Sequence, residues 1–448
     1  MRIKRTSQIS IFDQFAEHEI GRELRAMSEL LDAHPQLLDL VADDLGCSAT
    51  TGRCGLSAES TLRCAILKQY RQLSYEELAF HLQDSLSFQA FARLPRGRSP
   101  KKAALQANIA AISETTWEAI NRHLVGTAAE GGVERGTMWR VDSTVIDSPV
   151  HEPSDSSLLL DGVRVMVRLL QAGQALPGAP ILNWHNHLRR AKKRARAIRY
   201  TRGHDKKQAL YRDLTVQTQA TLGYLEDSAV RLQGAVIDAR ALAAWQEKVA
   251  HYTGLIQRVI DQTERRVFAG ERVPAAHKVV SLFEAHTDII VKDRREVHYG
   301  HKLNLASGRS GLIFDAVIEA GNPADAERFM PMLTRHIETF GTVPRQVAAD
   351  GGYASRDNLA AAKAAGVKDV AFHKKRGLNL EAMVRSQWVY RKLRNFRAGI
   401  EAGISCLKRA YGLARCTWKG LAHFKAYVWS SIVAHNLALL ARLREAPA

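Results

Sequence analysis

Cysteine is scarce in this sequence of 448 residues. Its five cysteines are an odd number without C-x-x-C spacing, a pattern that excludes a disulfide-stabilised extracellular scaffold. We therefore expect reduced thiols in a cytoplasmic protein. One alternative stays open, because Cys47, Cys54 and Cys64 would supply three ligands of a zinc knuckle, although no fourth ligand accompanies them.

Long apolar stretches are also missing. No segment approaches the roughly 18 uninterrupted apolar residues that a membrane span needs, and the first residues, MRIKRTSQIS, lack the apolar core of a signal peptide. Hydrophobic residues nevertheless make up 46% of the chain and charged residues 25%, which is the balance of a folded protein. We expect two or three domains and no membrane association.

Acidic side chains are too few to balance the basic ones. The 64 Lys and Arg against 46 Asp and Glu give a formal net charge of +18, so the surface should attract a polyanion, and nucleic acid is the first candidate. The basic segment 189–202 either grips the DNA backbone or is a solvated helical face. The cations that we expect to bind DNA there are Arg189, Arg190, Lys192, Lys193, Arg194 and Arg196.

Residues 1–125 have the three- and four-residue apolar spacing of helices. Ser74 and Glu77 form a capping-box pattern, which predicts that a new helix begins after a tight turn. Such a helix pair is either a helix-turn-helix DNA reader or ordinary bundle packing. The segment 95–102, which is rich in proline, glycine and basic side chains, is typical of a loop facing phosphate.

From about residue 136 the pattern changes to short β-rich segments. Helical patterns separate the later ones, and this order predicts a mixed α/β sheet with helices packed on its faces. Residues 158–268 return to helical composition, so we predict a helical insertion after the first strand. The predicted strands are 138–146, 297–305, 312–318, 346–350 and 369–372.

Two acids lie in otherwise apolar strand contexts. Asp142 is in the middle of the first strand, and Asp350 ends a later one immediately before Gly351 and Gly352. A carboxylate buried without a partner is costly, so a divalent metal or a hydrogen-bonded partner is expected. Alternatively, Asp350 caps the following turn.

A third acid lies on a predicted helix. Arg394, Arg397, Glu401 and Lys408 fall on one side of this helix, so that one carboxylate is flanked by three cations. A solvated face with an ordinary Arg397–Glu401 pair would look the same. Only the combination with the two strand acids suggests a site.

Together these motifs resemble bacterial insertion-sequence transposases with an RNase H-like catalytic core. Arg397, Glu401 and Lys408 have the spacing of that family's Tyr-x-x-Arg-x-x-x-Glu-x-x-x-x-x-x-Lys signature, and Arg394 stands where the signature has Tyr. The segments beginning at Asp142 and Asp350 resemble the first and second acid motifs. The resemblance implies a helical N-terminal DNA-binding domain (1–125), a catalytic core (136–157 and 280–440) and a basic helical insertion (158–268).

The resemblance also implies the chemistry. Asp142, Asp350 and Glu401 would hold two Mg²⁺ or Mn²⁺ ions, with Asp142 shared, for DNA cleavage and strand transfer by in-line displacement at phosphorus. Arg394, Arg397 and Lys408 would contact phosphate. The expected partners are terminal inverted repeats and target DNA, bound by a homodimer. Two alternatives remain open, namely a DNA-binding regulator or defunct transposase, and another two-metal nuclease.

Overall fold

The computed structural model describes residues 4–5, 15–46, 55–94, 99–292 and 296–445. The chain divides into two compact units, of which the first is Met1–Ser148 with His301–Ala448 and the second is Pro149–Gly300. Cys47, Cys54 and residues 95–98, on which the zinc-knuckle and loop predictions rest, lie outside the described residues. Across the described ranges, no helix has the length and apolar character needed to cross a membrane.

A mixed β-sheet forms the centre of the first unit. In the described residues the strands are β1 (Met138–Asp147), β2 (Asp288–Lys292), β3 (Glu296–Ser307), β4 (Ile313–Ile318), β5 (Gln346–Ala349) and β6 (Asp369–Phe372). Within the first unit their order is β4, β3, β1, β5, β6. β4 is antiparallel to β3, whereas β1, β5 and β6 are parallel. This is the sheet of an RNase H-like core, and the predicted fold class is confirmed.

Four helices of the first unit follow β4 or lie between and after the later strands. They are α12 (Asp325–Phe340), α13 (Arg356–Ala364), α14 (Leu380–Met383) and α15 (Gln387–Ala410). α15 packs on β1, β5 and β6, so that one helix contacts the three parallel strands. α12 packs against β4 and α13.

The N-terminal part of the first unit is helical, as predicted. The capping box is present, because the Ser74 hydroxyl accepts from the Glu77 amide and the Glu77 carboxylate accepts from the Ser74 amide. Whether the helices on either side of this turn read DNA remains a prediction. The helices are α1 (Glu19–Asp32), α2 (Leu37–Asp44), α3 (Ala58–Tyr70), α4 (Tyr75–Asp84), α5 (Leu86–Ala92), α6 (Lys102–Ile109) and α7 (Glu114–Glu130).

The last helix, α16 (Leu421–Glu445), has an amphipathic spacing that predicts either core packing or part of a dimer contact. It is buried on every side between Ala426 and Ala438 and packs against α1, α3 and α7. Polar side chains of this segment are buried and hydrogen-bonded as well, since Ser430 accepts from Gln69 at 2.8 Å. α16 is therefore a core element of the helical part.

The second unit has its own hydrophobic core, formed by a bundle of four helices. It also contains a hairpin that the sequence pattern did not predict, in which Glu296–Gly300 of β3 pairs antiparallel with β2. The predicted limits of the insertion, 158–268, remain a prediction within this unit. The helices are α8 (Asp155–Gln174), α9 (Leu188–Tyr200), α10 (His204–Gln233) and α11 (Ala239–Thr263).

Two buried histidines of the first unit should make its stability depend on pH. Burial lowers the pKa of His336 and of His435 to about 4, against about 6.5 in the unfolded chain. Between these values only the unfolded state takes up the protons. Stability should therefore fall as the pH drops from 7 to 5, by about 2 kcal/mol for each histidine.

This prediction is tested by urea unfolding at pH 7 and pH 5. The variant His435→Gln should lose about 2 kcal/mol less than the wild type over this interval. The control is His423→Gln, because His423 lies on the same helix but is exposed. If wild type and His435→Gln lost the same unfolding free energy between pH 7 and pH 5, burial would not lower the pKa of His435 in the folded protein.

Candidate active site

Asp142 is the most buried acid of the candidate site. β1 carries it in the centre of the sheet, where its side chain is only 13% exposed. One carboxylate oxygen accepts the Ser143 amide at 2.8 Å. Burial raises the pKa of Asp142 to about 6, although the Arg397 guanidinium and the Ser143 amide oppose the rise. A negative charge at this position therefore requires a cation close by.

Asp350 lies directly after β5, at the start of a tight loop. A Cβ atom at position 351 would lie only 2.7 Å from the Cβ atom of Lys374, so the close approach of the loop to Lys374 requires glycine at this position. Tyr353, which is fully buried, donates its hydroxyl hydrogen to Asn304 on β3 at 2.6 Å. This anchor fixes the loop against the sheet and thereby sets the position of Asp350.

Arg140 attaches α15 to β1. Its guanidinium donates to the Ser307 hydroxyl at 2.7 Å and to the Phe396 carbonyl oxygen at 2.8 Å. It also fills the space beside Gly399, where a Cβ atom would lie 2.8 Å from the Arg140 Cζ. Glu401 is two residues further along α15, so this contact determines where Glu401 stands. The sequence pattern did not single out Arg140, although a cation within the apolar strand pattern was a usable signal.

The three acids converge on one guanidinium. Arg397 donates to Asp142 at 2.7 Å, lies 3.5 Å from an Asp350 carboxylate oxygen and pairs with Glu401. The side-chain exposure increases from 13% for Asp142 to 38% for Asp350 and 57% for Glu401. The cluster is thus buried on the Asp142 side and open to solvent on the Glu401 side.

The donor set suits a hard divalent cation. Three carboxylates face one guanidinium, which leaves two negative charges uncompensated when all four groups are ionised, and carboxylate oxygens are the ligands that Mg²⁺ and Mn²⁺ prefer. Among the described residues, no group of three or more His, Cys, Asp or Glu side chains stands in a metal-holding arrangement. In this arrangement the Arg397 guanidinium contacts all three acids.

The other predicted cations lie apart from this cluster. Arg394 is exposed and stacks over the Tyr390 ring, while Lys408 lines a separate cavity near the end of α15. On α9, the side chains of Arg190 and Arg194 pair with Asp213 of α10. Four cations on α9 are exposed to solvent, namely Arg189, Lys192, Lys193 and Arg196.

Comparison with known families matches two segments of the chain. Residues 253–437 match the family described as Transposase DDE domain, and residues 12–108 match the Transposase domain (DUF772). The first match includes Asp350 and Glu401 and begins after Asp142. Neither the curated proteins nor the solved structures gave a match to this chain.

The match to the Transposase DDE domain, together with the RNase H-like sheet, indicates the class of polynucleotidyl transferases and nucleases. Within that class, the two matched segments indicate an insertion-sequence DDE transposase with a helical N-terminal region. Transposition of DNA is the function of these families, and DDE transposases generally use divalent metal ions. The resemblance to this family, on which the sequence predictions were based, is confirmed.

Proposed function

We propose that this chain cleaves DNA at insertion-sequence ends and transfers the freed 3′ ends to target DNA. The observation that carries the proposal is the meeting of Asp142, Asp350 and Glu401 at one point. These acids come from a central strand, a strand end and a helix, and nothing in the stability of the fold requires three carboxylates at one place. Hydrolysis and strand transfer are both displacements at phosphorus, so one site serves both.

We propose that Asp142, Asp350 and Glu401 hold two Mg²⁺ or Mn²⁺ ions, with Asp142 as the shared ligand. When bound, such ions activate the attacking oxygen and stabilise the leaving oxygen. Arg397 keeps the carboxylates together before the ions arrive, because its two terminal nitrogens contact all three. Once displaced from between the acids, the Arg397 guanidinium is available to bind a DNA phosphate through its planar fork.

The remaining cations are proposed as DNA-backbone contacts. Arg394 is exposed one turn before Arg397 on α15, and Lys408 lies two turns after Glu401. The basic residues of α9, from Arg189 to Arg196, would hold DNA without reading its sequence, so that binding should weaken steeply with salt. We propose a homodimer in the DNA complex, because two transposon ends must be cut together. We also propose that the protein is cytoplasmic and that its substrates are the terminal inverted repeats and target DNA.

The test is cleavage of a supercoiled plasmid that carries the terminal inverted repeats of the element. Wild-type protein should cut at the repeat ends in Mn²⁺ or Mg²⁺, and Glu401→Gln should bind the same DNA without cutting it. Glu338→Gln is the matched control and should cut like the wild type, since Glu338 is an exposed glutamate of α12 outside the acid cluster. Binding without cleavage in every metal, by wild type and Glu401→Gln alike, would instead support a regulator or a defunct transposase.

A further inference from the structure

A second cavity of the first unit lies apart from the acids. It has a volume of about 580 Å³, between the α3–α4 turn and the segment that joins α15 to α16. Cavities of roughly 300–1,000 Å³ are the size that binds small ligands in proteins, and a single nucleotide falls within that range. Its lining includes Lys68, Tyr75, Lys408, Arg415, Trp418 and Tyr427.

Aromatic side chains form one part of the cavity wall. Trp418 and Tyr427 pack edge to face, with ring centroids 5.6 Å apart, and both are buried, with 6% and 4% of their surface exposed. Tyr75, at the start of α4, is half-buried. Nucleic-acid bases stack on aromatic side chains of this kind without regard to sequence, because every base has a π-face.

Lys68 places a buried ammonium group against these rings. Its Nζ lies 4.9 Å from the Tyr75 ring centroid and 5.8 Å from that of Trp418. Burial lowers the pKa of Lys68 to about 8, and the nearby Glu77 carboxylate opposes this shift only in part. An anionic ligand in the cavity would therefore stabilise the charged form of Lys68.

The charge of the cavity favours an anion. Its wall has four cations, since Lys102 joins Lys68, Lys408 and Arg415, against two carboxylates. Glu76 pairs with Lys102 at 3.2 Å, and Glu77 accepts the backbone amide of its helix cap, so the cations still exceed the carboxylates by two. Cations beside aromatic faces are the combination that single-stranded nucleic-acid sites use.

The position of the cavity relates it to the acids. Lys408 lies in its wall and belongs to the same helix as Glu401, seven residues further along. At 1.5 Å per residue, this separation is roughly 10 Å along α15. One or two nucleotides of an extended strand span such a distance, so a DNA strand held at the acids can reach the cavity with a neighbouring nucleotide.

We propose that this cavity binds one unpaired nucleotide of the DNA substrate, with the base against Tyr75 and Trp418 and the phosphate at Lys408 and Arg415. The inference rests on the proposed function, because the nucleotide belongs to the strand that the acids would cut. An unpaired base occurs where duplex DNA has been opened at a terminus, so the cavity would select opened ends over intact duplex.

The test compares the binding of three short duplexes by the full chain in EDTA. One is blunt, the second has a single unpaired nucleotide at its end, and the third has the same overhang without its base. Wild type should bind the complete overhang roughly tenfold more tightly than the abasic one. This ratio of dissociation constants corresponds to the binding free energy that one base gains by stacking on an aromatic side chain. Tyr75→Leu should abolish this ratio, and Arg415→Ala should weaken both overhangs while keeping it.

The control is Trp388→Leu, because Trp388 is an exposed aromatic residue of α15 outside the cavity, and it should retain the wild-type ratio. Thermal unfolding verifies that each variant is folded. Equal binding of complete and abasic overhangs by wild type, or an unchanged ratio in Tyr75→Leu, would overturn the proposal. Because EDTA prevents cleavage, plasmid cutting by the same preparation tests the proposed function separately, and either can fail alone.

Discussion

The replacement Arg397→Met should destabilise the first unit by about 3–5 kcal/mol in EDTA, which is the usual cost of removing one partner of a buried ion pair. The reason is Asp142, whose side chain is 13% exposed and has Arg397 as its cationic partner at 2.7 Å. Without the guanidinium, three carboxylates would repel one another at one point. Most of the loss should come from Asp142, because Asp350 and Glu401 are more exposed.

Divalent metal should restore much of the stability that Arg397→Met loses. In the variant, no guanidinium competes for the carboxylates, so Mn²⁺ should raise the melting temperature of Arg397→Met more than that of the wild type. The measurement is thermal unfolding of both proteins in EDTA and in millimolar MnCl₂. Arg394→Met serves as the control, since this exposed cation on the same helix stacks over Tyr390. Wild-type stability of Arg397→Met in EDTA would mean that Asp142 needs no cation.

The replacement Gly399→Ala should also lower both the stability of the first unit and the plasmid cleavage. In Gly399→Ala the new Cβ atom would overlap the Arg140 guanidinium, which two hydrogen bonds and burial hold in place. Overpacking of this kind costs about 1–3 kcal/mol. The shift of α15 away from β1 would also displace Glu401, so we expect reduced plasmid cleavage together with a lower melting temperature.

Gly403 provides a matched control on the same helix. A Cβ atom there would meet only the Ile313 Cδ1 at 3.9 Å, which is an ordinary contact. Because alanine has the higher helix propensity, by up to about 1 kcal/mol, Gly403→Ala should be as stable as the wild type or more stable. If Gly399→Ala and Gly403→Ala had the same stability and cleavage, the proposed anchoring of α15 by Arg140 would be wrong.

Local patterns were sufficient to predict most of the fold. The segment of β1 is a β-rich run, and the segment of α15 has only the three- and four-residue apolar spacing of a helix. The secondary structure of both segments therefore follows from the sequence. β2 was missed because its apolar part is only the three residues Ile289–Val291 between charged side chains. So short a segment acquires a strand conformation from its partner β3 and not from its own propensity.

The polar residues of α16 are buried for a reason that its amphipathic spacing does not reveal. Polar residues at regular spacing usually mark a solvent face, but Asn436 is buried, donates to the Asn121 side chain at 2.7 Å and accepts the Ile313 amide at 2.9 Å. These partners lie on α7 and β4, far away along the chain. A hydrogen bond to a distant element cannot be inferred from local periodicity, so the burial of such a residue could not be predicted.

The candidate site was predictable in its members and not in its arrangement. The sequence indicated Asp142, Asp350 and Glu401 as acids with unusual surroundings, and it indicated a pair between Arg397 and Glu401 four residues apart. That Arg397 also contacts the two strand acids depends on the packing of α15 against β1 and β5. Tertiary packing of this kind has no local sequence signal.

The long separation between paired strands affects when the acid cluster can assemble during synthesis. β1 pairs with β5, and Met138 lies opposite Gln346, about 200 positions later in the chain. Glu401 follows still later, so a ribosome adding about 5–20 residues per second needs on the order of 10–50 s between Asp142 and Glu401. A nascent chain therefore has no assembled acid cluster until translation has passed α15.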